Sequence, residues 1–216
     1  MTAAYIALEG PDGVGKSTVA AALSELLLRR APRAPYADVR IRHFPTDALT
    51  ACADNGGYCL KAADYAMDME RWLSLRPEPV LFPDAPPRPA APGAAEPGTL
   101  YVLDRWALST AVYASLRNEG FSENVALTLN WLNRVPLTTF ALMPSDPAAL
   151  TDPDFPDPEG YDPRRVTEAY RAFLTNAFVA GELSRFVPIA VDRARDTPDS
   201  VAAEIAEWVA GLQGGM

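Results

Sequence analysis

Glu9-Gly10-Pro11-Asp12-Gly13-Val14-Gly15-Lys16-Ser17-Thr18 follows directly on the apolar run Tyr5-Ile6-Ala7-Leu8 and matches the pattern G-x-x-x-x-G-K-[ST]. A strand that runs into such a loop and then into a helix is a phosphate cradle. Gly10, Gly13 and Gly15 let the backbone N–H groups, with that of Val14, curl around phosphate oxygens. Lys16 supplies the countercharge, and the Ser17 hydroxyl, with Thr18 beside it, is suited to hold Mg²⁺. The helix that begins near Lys16 turns its positive dipole end toward the same phosphates. The stretch therefore predicts binding of a nucleoside triphosphate.

Working outward, alternating elements extend the pattern along the chain. Apolar runs at 5–8, 39–44, 100–103, 137–143 and 186–191 read as strands. Helical segments follow at 16–30, about 54–75, 105–118 with a second at about 123–133, 163–181 and 198–212. Five βα repeats predict an α/β fold, a five-stranded parallel sheet with helices on both faces. Ligands of such sheets gather beyond the carboxyl ends of the strands, so Glu9, Phe44 and Asp104 are expected to converge.

The chain has 216 residues, enough for a single α/β domain with a substantial core, and one domain over 1–216 is expected. Its formal charge of −9, from 19 basic and 28 acidic residues, disfavours a nucleic-acid or anionic-membrane partner. Small molecules held by a few local cations suit it better. Cys52 and Cys59 match neither a zinc spacing nor a disulfide framework, and no apolar run approaches the roughly 20 residues of a membrane helix. With a core strand at the N-terminus in place of a signal peptide, a cytoplasmic location is expected.

Two segments break the alternation. Residues 77–98 carry Pro77, Pro79, Pro83, Pro86, Pro87, Pro89, Pro92 and Pro97, which excludes a regular helix and reads as an extended insertion. Residues 144–163 are acidic and proline-rich, and read either as a lid over the triphosphate or as a solvated loop. At the end of the third strand stands Asp104-Arg105-Trp106. An aspartate there can orient Mg²⁺ or its waters, and an arginine can grip a phosphate with a planar fork of donors. The same pair is also compatible with an ordinary helix start capped by a carboxylate. His43, the only histidine, is expected to shape the cleft rather than act as a base.

Residues 9–18, Phe44-Pro45, Arg71-Trp72, Asp104-Arg105-Trp106 and Ser109-Thr110-Ala111-Val112-Tyr113 resemble, in order and approximate spacing, the thymidylate kinase family. That resemblance implies a P-loop nucleoside monophosphate kinase, usually homodimeric, that transfers the γ-phosphoryl group of ATP to dTMP with Mg²⁺. It implies that Gly10 to Thr18 hold ATP and that Ser17 and Asp104 serve the metal. Asp12 would face the deoxyribose 3′-hydroxyl and Arg105 the acceptor phosphate. Arg71 would meet the thymine edge, with Ser109 and Thr110 near the base. Tyr113 would crowd the sugar 2′ position, and Phe44, Pro45, Met67 and Tyr161 complete the acceptor site. Lys16, Asp12, Arg105 and Asp104 would carry catalysis, which in phosphoryl transfer is positioning and charge stabilisation.

Three departures qualify the likeness. Asp47 replaces an arginine expected on the acceptor phosphate, with Arg40 or Arg42 as substitutes. Met67 replaces an aromatic expected to stack on the base, with Tyr65 nearby. The phosphate loop lacks an arginine, and the lid-like stretch offers only Arg164 and Arg165. These departures keep open a kinase for dUMP or a 5-substituted pyrimidine deoxynucleotide, and a nucleotide-binding module of weak catalysis.

Overall fold

The computed structural model describes residues 4–29, 36, 38–44, 62–74, 99–117, 137–150, 161–179 and 186–214. Strands β1 (Ala4–Glu9), β2 (Asp38–His43), β3 (Thr99–Asp104), β4 (Thr138–Pro144) and β5 (Phe186–Val191) form one sheet. Its order is β2-β3-β1-β4-β5, and every pairing is parallel. Helices α1 (Lys16–Arg29), α2 (Ala62–Ser74), α3 (Ala107–Leu116), α4 (Pro163–Val179) and α5 (Pro198–Gly214) cover it, with a 3-10 turn at Pro147–Leu150. The expected five-stranded parallel α/β fold is present.

Strand alternation sorts the side chains into two cores. Ile6, Leu8, Leu100, Val102, Phe140 and Leu142 pack with Val19, Leu23 and Leu27 of α1 and Val201, Ile205 and Val209 of α5. Tyr5, Ala7, Tyr101 and Leu103 face the other way, onto Ala66, Met69 and Trp72 of α2 and onto the start of α3. A third cluster joins α3 to α4 through Val112, Leu116, Val166 and Tyr170. The two edges differ from the centre. Every residue of β3 is buried, whereas β2 exposes Arg40 to His43, and β5 carries Pro188 at the sheet edge, where a missing N–H breaks no ladder.

Helix α3 begins later than residue 105, where the sequence places its start. Arg105 has φ of 72°, a left-handed conformation, and Trp106 is extended, so neither can lie in a helix. The strand end is thus followed by a strained corner. Part of the lid-like segment is also more regular than expected: Pro144 ends β4 and Pro147–Leu150 forms the 3-10 turn, with Leu150 buried. Pro45, Asp47, Cys52, Cys59, the proline-rich stretch 77–98, the helix expected at 123–133 and residues 151–160 lie outside the described residues. No helix among the described residues is long and apolar enough to cross a membrane.

Candidate active site

The loop between β1 and α1 is shaped by its glycines at two places above all. Gly10 has φ of 142°, and a Cβ there would stand 2.4 Å from the carbonyl oxygen of Leu142 in β4. Gly13 has φ of 78°, and its Cβ would press to 3.2 Å on the Leu150 carbonyl oxygen. A side chain at either position would push the loop off its neighbours. Val14 anchors the loop from inside, buried against the α1 side of the sheet. Helix geometry leaves the first N–H groups of α1 without intrahelical acceptors, so they are available to a phosphate.

Lys16 is 6% exposed, and its Nζ donates to the carbonyl oxygens of Gly10 at 2.9 Å and Pro11 at 2.7 Å, with Asp12 Oδ1 at 3.7 Å. Burial pushes its ammonium down to about 8, and the charges of Asp104 and Glu9 partly offset that. The ammonium is thus folded back into its own loop. Ser17 Oγ donates to Asp104 Oδ2 at 2.5 Å, and His43 Nδ1 lies 3.1 Å from the same oxygen. Burial would raise the Asp104 carboxyl, but hydrogen bonds from His43 and Ser17 and the Lys16 charge outweigh it and hold it below the usual range.

Asp104 Oδ1 is buried and has no hydrogen-bond partner. An ionised carboxylate with one oxygen free, beside a serine hydroxyl, is a donor set that fits a hard divalent cation. Among the described residues no three His, Cys, Asp or Glu side chains form a metal cage. A Mg²⁺ here would therefore draw its remaining ligands from nucleotide phosphates and water, its usual habit. Ser17 and Asp104 are the residues that fit it.

Across the loop, the Asp12 carboxylate is shared. Arg105 Nη2 donates to its Oδ1, and the Tyr113 hydroxyl donates to its Oδ2 at 2.9 Å. The Arg105 guanidinium also lies 5.4 Å from the centroid of the Tyr113 ring. Arg105 owes this position to its strained corner, pinned by its N–H on the Leu8 carbonyl oxygen at 3.0 Å. Phe44 is tied to the same corner, its N–H donating to the Asp104 carbonyl oxygen at 3.0 Å.

Glu9 belongs to the motif but received no role from the sequence. It is wholly buried, and its Oε1 accepts the N–H groups of Leu108 at 3.1 Å and Ser109 at 3.2 Å. Oε2 accepts the Ser109 N–H at 3.2 Å and the Ser109 hydroxyl. Trp106, at the N-cap of α3, makes no side-chain cap, so Glu9 closes that helix from another strand. The capping carboxylate is Glu9, not Asp104. Burial raises the Glu9 carboxyl, while the Ser109 hydrogen bonds and the charges of Lys16 and Arg105 hold it back. The one hint in the sequence was negative: Asp104-Arg105-Trp106 puts an indole where a helix needs a cap.

The remaining residues divide. Trp106 and Trp72 pack edge-on against Phe44, at 5.5 and 5.6 Å between ring centroids, so both belong to the aromatic core beneath the cleft. Thr110 is buried, and the Ser109 hydroxyl is turned inward, 2.8 Å from the Tyr170 hydroxyl. Met67 and Arg71, one helical turn apart on α2, are exposed, Met67 at 58%. Tyr161 lies 6.5 Å from Tyr113 and under the Arg165 guanidinium at 5.8 Å. Arg164 and Arg165 occupy the exposed first turn of α4, where Asp162 accepts the Arg164 N–H at 2.9 Å and Pro163 opens the helix. Arg40 bonds Asp38 at 2.6 Å; by alternation it shares the α2 side of β2 with Arg42, opposite His43.

No family model matches the chain, and no curated protein matches it in sequence. Solved structures do match in fold. A thymidylate kinase from Candida albicans, described as revealing the origin of broad substrate specificity, superposes with a TM-score of 0.65 at 18% identity, over 98% of this chain and 93% of that one. The YorR protein of Bacillus subtilis, in complex with phosphorylated GDP, gives 0.54 at 18% identity, over 98% of each. At such identity the likeness is one of fold.

Proposed function

We propose that this chain is an ATP- and Mg²⁺-dependent deoxynucleoside monophosphate kinase, with dTMP as its preferred acceptor. The observation that carries this reading is the meeting of two phosphate-binding half-sites at the ends of β1 and β3. One consists of the glycine loop, Lys16, Ser17 and Asp104. The other is Arg105, held by Asp12 beside Tyr113. Their separation by a single loop suits the in-line passage of a phosphoryl group from ATP to an acceptor phosphate oxygen, with ADP leaving.

In this reading the loop amides and Lys16 orient the donor, and Lys16 must leave the Gly10 and Pro11 carbonyls to reach the β- and γ-phosphates. Mg²⁺, when held by Ser17 and Asp104, neutralises charge on those phosphates. Arg105 takes the acceptor phosphate, so its guanidinium divides between that phosphate and Asp12. Asp12 then has lone pairs free for the sugar 3′-hydroxyl, and Tyr113 fills the space of a 2′-hydroxyl. Arg164 and Arg165 are the cations from which charge on the migrating group is countered. The chain works in the cytoplasm as a homodimer.

A coupled assay with ATP and Mg²⁺ across the common ribo- and deoxyribonucleoside monophosphates tests this, GMP and dGMP included because the YorR protein holds a guanine nucleotide. The highest kcat/KM is expected with dTMP. No turnover of any monophosphate overturns the reading and leaves a nucleotide-binding module. Exposed Met67, where an aromatic would stack on the base, favours one alternative: preference for dUMP or a 5-substituted relative, which the same panel detects.

A further inference from the structure

We propose that Tyr170 is a positioning residue for the acceptor half of the site, acting through Ser109 and Glu9 on the corner that carries Arg105. This rests on the kinase reading above, which gives Arg105 its partner. Tyr170 is wholly buried in α4, and its hydroxyl lies 2.8 Å from Ser109 Oγ. Ser109 has one hydroxyl proton, which it gives to Glu9 Oε2. Proton count then fixes the direction of the chain: Tyr170 donates to Ser109, and Ser109 donates to Glu9.

What this chain holds is the corner at Arg105. A left-handed arginine is a conformation that persists only where its surroundings over-determine it. Here the last two residues of β1 grip it from both sides, Leu8 through the Arg105 N–H and Glu9 through the first turn of α3. Tyr170 is the far anchor of the Glu9 grip, and it stands on the helix whose first turn carries Arg164 and Arg165. Buried polar chains of this kind specify a geometry when every member is satisfied. Burial raises the Tyr170 phenol, and the charges of Glu9 and Arg105 also act on it, which places it within the electrostatic reach of the acceptor cation without touching substrate.

The test is a cycle of Tyr170→Phe, Ser109→Ala and the double variant, read by steady-state kinetics, by calorimetric titration with dTMP or whichever monophosphate the wild type turns over, and by thermal melting. Tyr170→Phe keeps the ring and removes one hydroxyl. Its acceptor KM and Kd are expected to rise about 5- to 10-fold, with kcat down about threefold and ATP KM within twofold. In the Ser109→Ala background, removing the Tyr170 hydroxyl should change acceptor affinity no further. A lower melting temperature with wild-type acceptor affinity would mark Tyr170 as packing alone and overturn the proposal, as would equal losses on ATP and acceptor. Should Tyr170→Phe fail to fold, Ser109→Ala removes the same bond from its other end, and unchanged acceptor affinity there overturns it too. A wild-type chain that binds no monophosphate defeats the kinase reading itself, an outcome distinct from an active wild type that Tyr170→Phe leaves unaltered.

Discussion

The proposed donor half of the site and the proposed acceptor half are built on different principles. Lys16, Ser17 and the glycine loop come from one consecutive stretch and need only Asp104 from elsewhere. The loop is satisfied on its own terms, its ammonium resting on its own carbonyls. The acceptor half draws Asp12 from the loop, Arg105 from a strained corner and Tyr113 from α3, and it exposes Met67 and Arg71 on α2. A contiguous half is hard to alter without loss of all phosphate binding. An assembled half can change specificity one residue at a time.

The largest expected effect lies in the donor half. Lys16→Ala should lower kcat by about 100-fold or more, because it removes the main protein countercharge where charge reorganises. Circular dichroism and melting should show a folded protein; retention of more than about a tenth of wild-type activity would break the division drawn here. Arg105→Ala comes next and should act on the other half. Titration should show monophosphate affinity down by about 30-fold, roughly 2 kcal/mol for a charge-assisted pair, with ATP affinity little changed. The reverse pattern would put Arg105 on the donor.

A pH change should separate the halves without mutation. Lys16 in the empty site titrates at about 8, and binding of ATP phosphates favours its charged form. Between pH 7 and 9, ATP affinity should therefore fall by about tenfold, with proton uptake visible as a dependence of the binding heat on buffer ionisation. The same shift acts on stability in the opposite sense. The unfolded chain keeps Lys16 protonated to its ordinary 10.5, so it binds more protons than the folded chain from about 8 upward, and the Lys16 contribution to stability rises with pH through that window. ATP affinity independent of pH up to 9 would show that ATP binding is not coupled to a Lys16 titration in this window.

Smaller effects sharpen the acceptor half. Tyr113→Ala should make room at the sugar, so the kcat/KM ratio of dUMP over UMP should fall by about fivefold even as overall activity drops. An unchanged ratio would leave Tyr113 as a ligand of Asp12 only. Met67→Phe should improve the kcat/KM of a pyrimidine acceptor by about threefold through stacking. Indifference to that change would show that the base lies away from this turn of α2.

Local chemistry explains which parts could be read in advance. The loop at Gly10 to Ser17 needs unusual backbone angles at fixed spacing, and only glycines meet them, so its signature survives in one dimension. Asp104 and Arg105 stand out because they follow an apolar run. Glu9 is different, since its role depends on β1 lying beside β3 and on Trp106 failing to cap. The first condition is invisible until the strand order is known, and the second shows in the sequence only as an indole where a cap is needed. Tyr170 is further still from legibility: a tyrosine on a buried helical face looks like any core aromatic until the Ser109 hydroxyl is found against it. Helix α3 starts beyond the point that the sequence suggests for the same reason, because the left-handed turn at Arg105 is imposed by Leu8 and not by its neighbours in sequence.

The cap that Glu9 places on α3 joins residues 99 and 100 positions apart. A helix closed from so far away cannot borrow its stability from its own segment, and its end frays until β1 is docked against β3. Closing that long stretch of chain costs entropy before the contact repays it. During folding, α3 and the corner before it should consolidate late, after the β1–α1 unit has formed from local contacts, giving φ-values near zero at Leu108 and Ser109 and higher ones at Val19 and Leu23. Both halves of the proposed site wait on β3, because Asp104 and Arg105 leave the ribosome together, and a nucleotide can favour the native chain only once that strand has paired with β1.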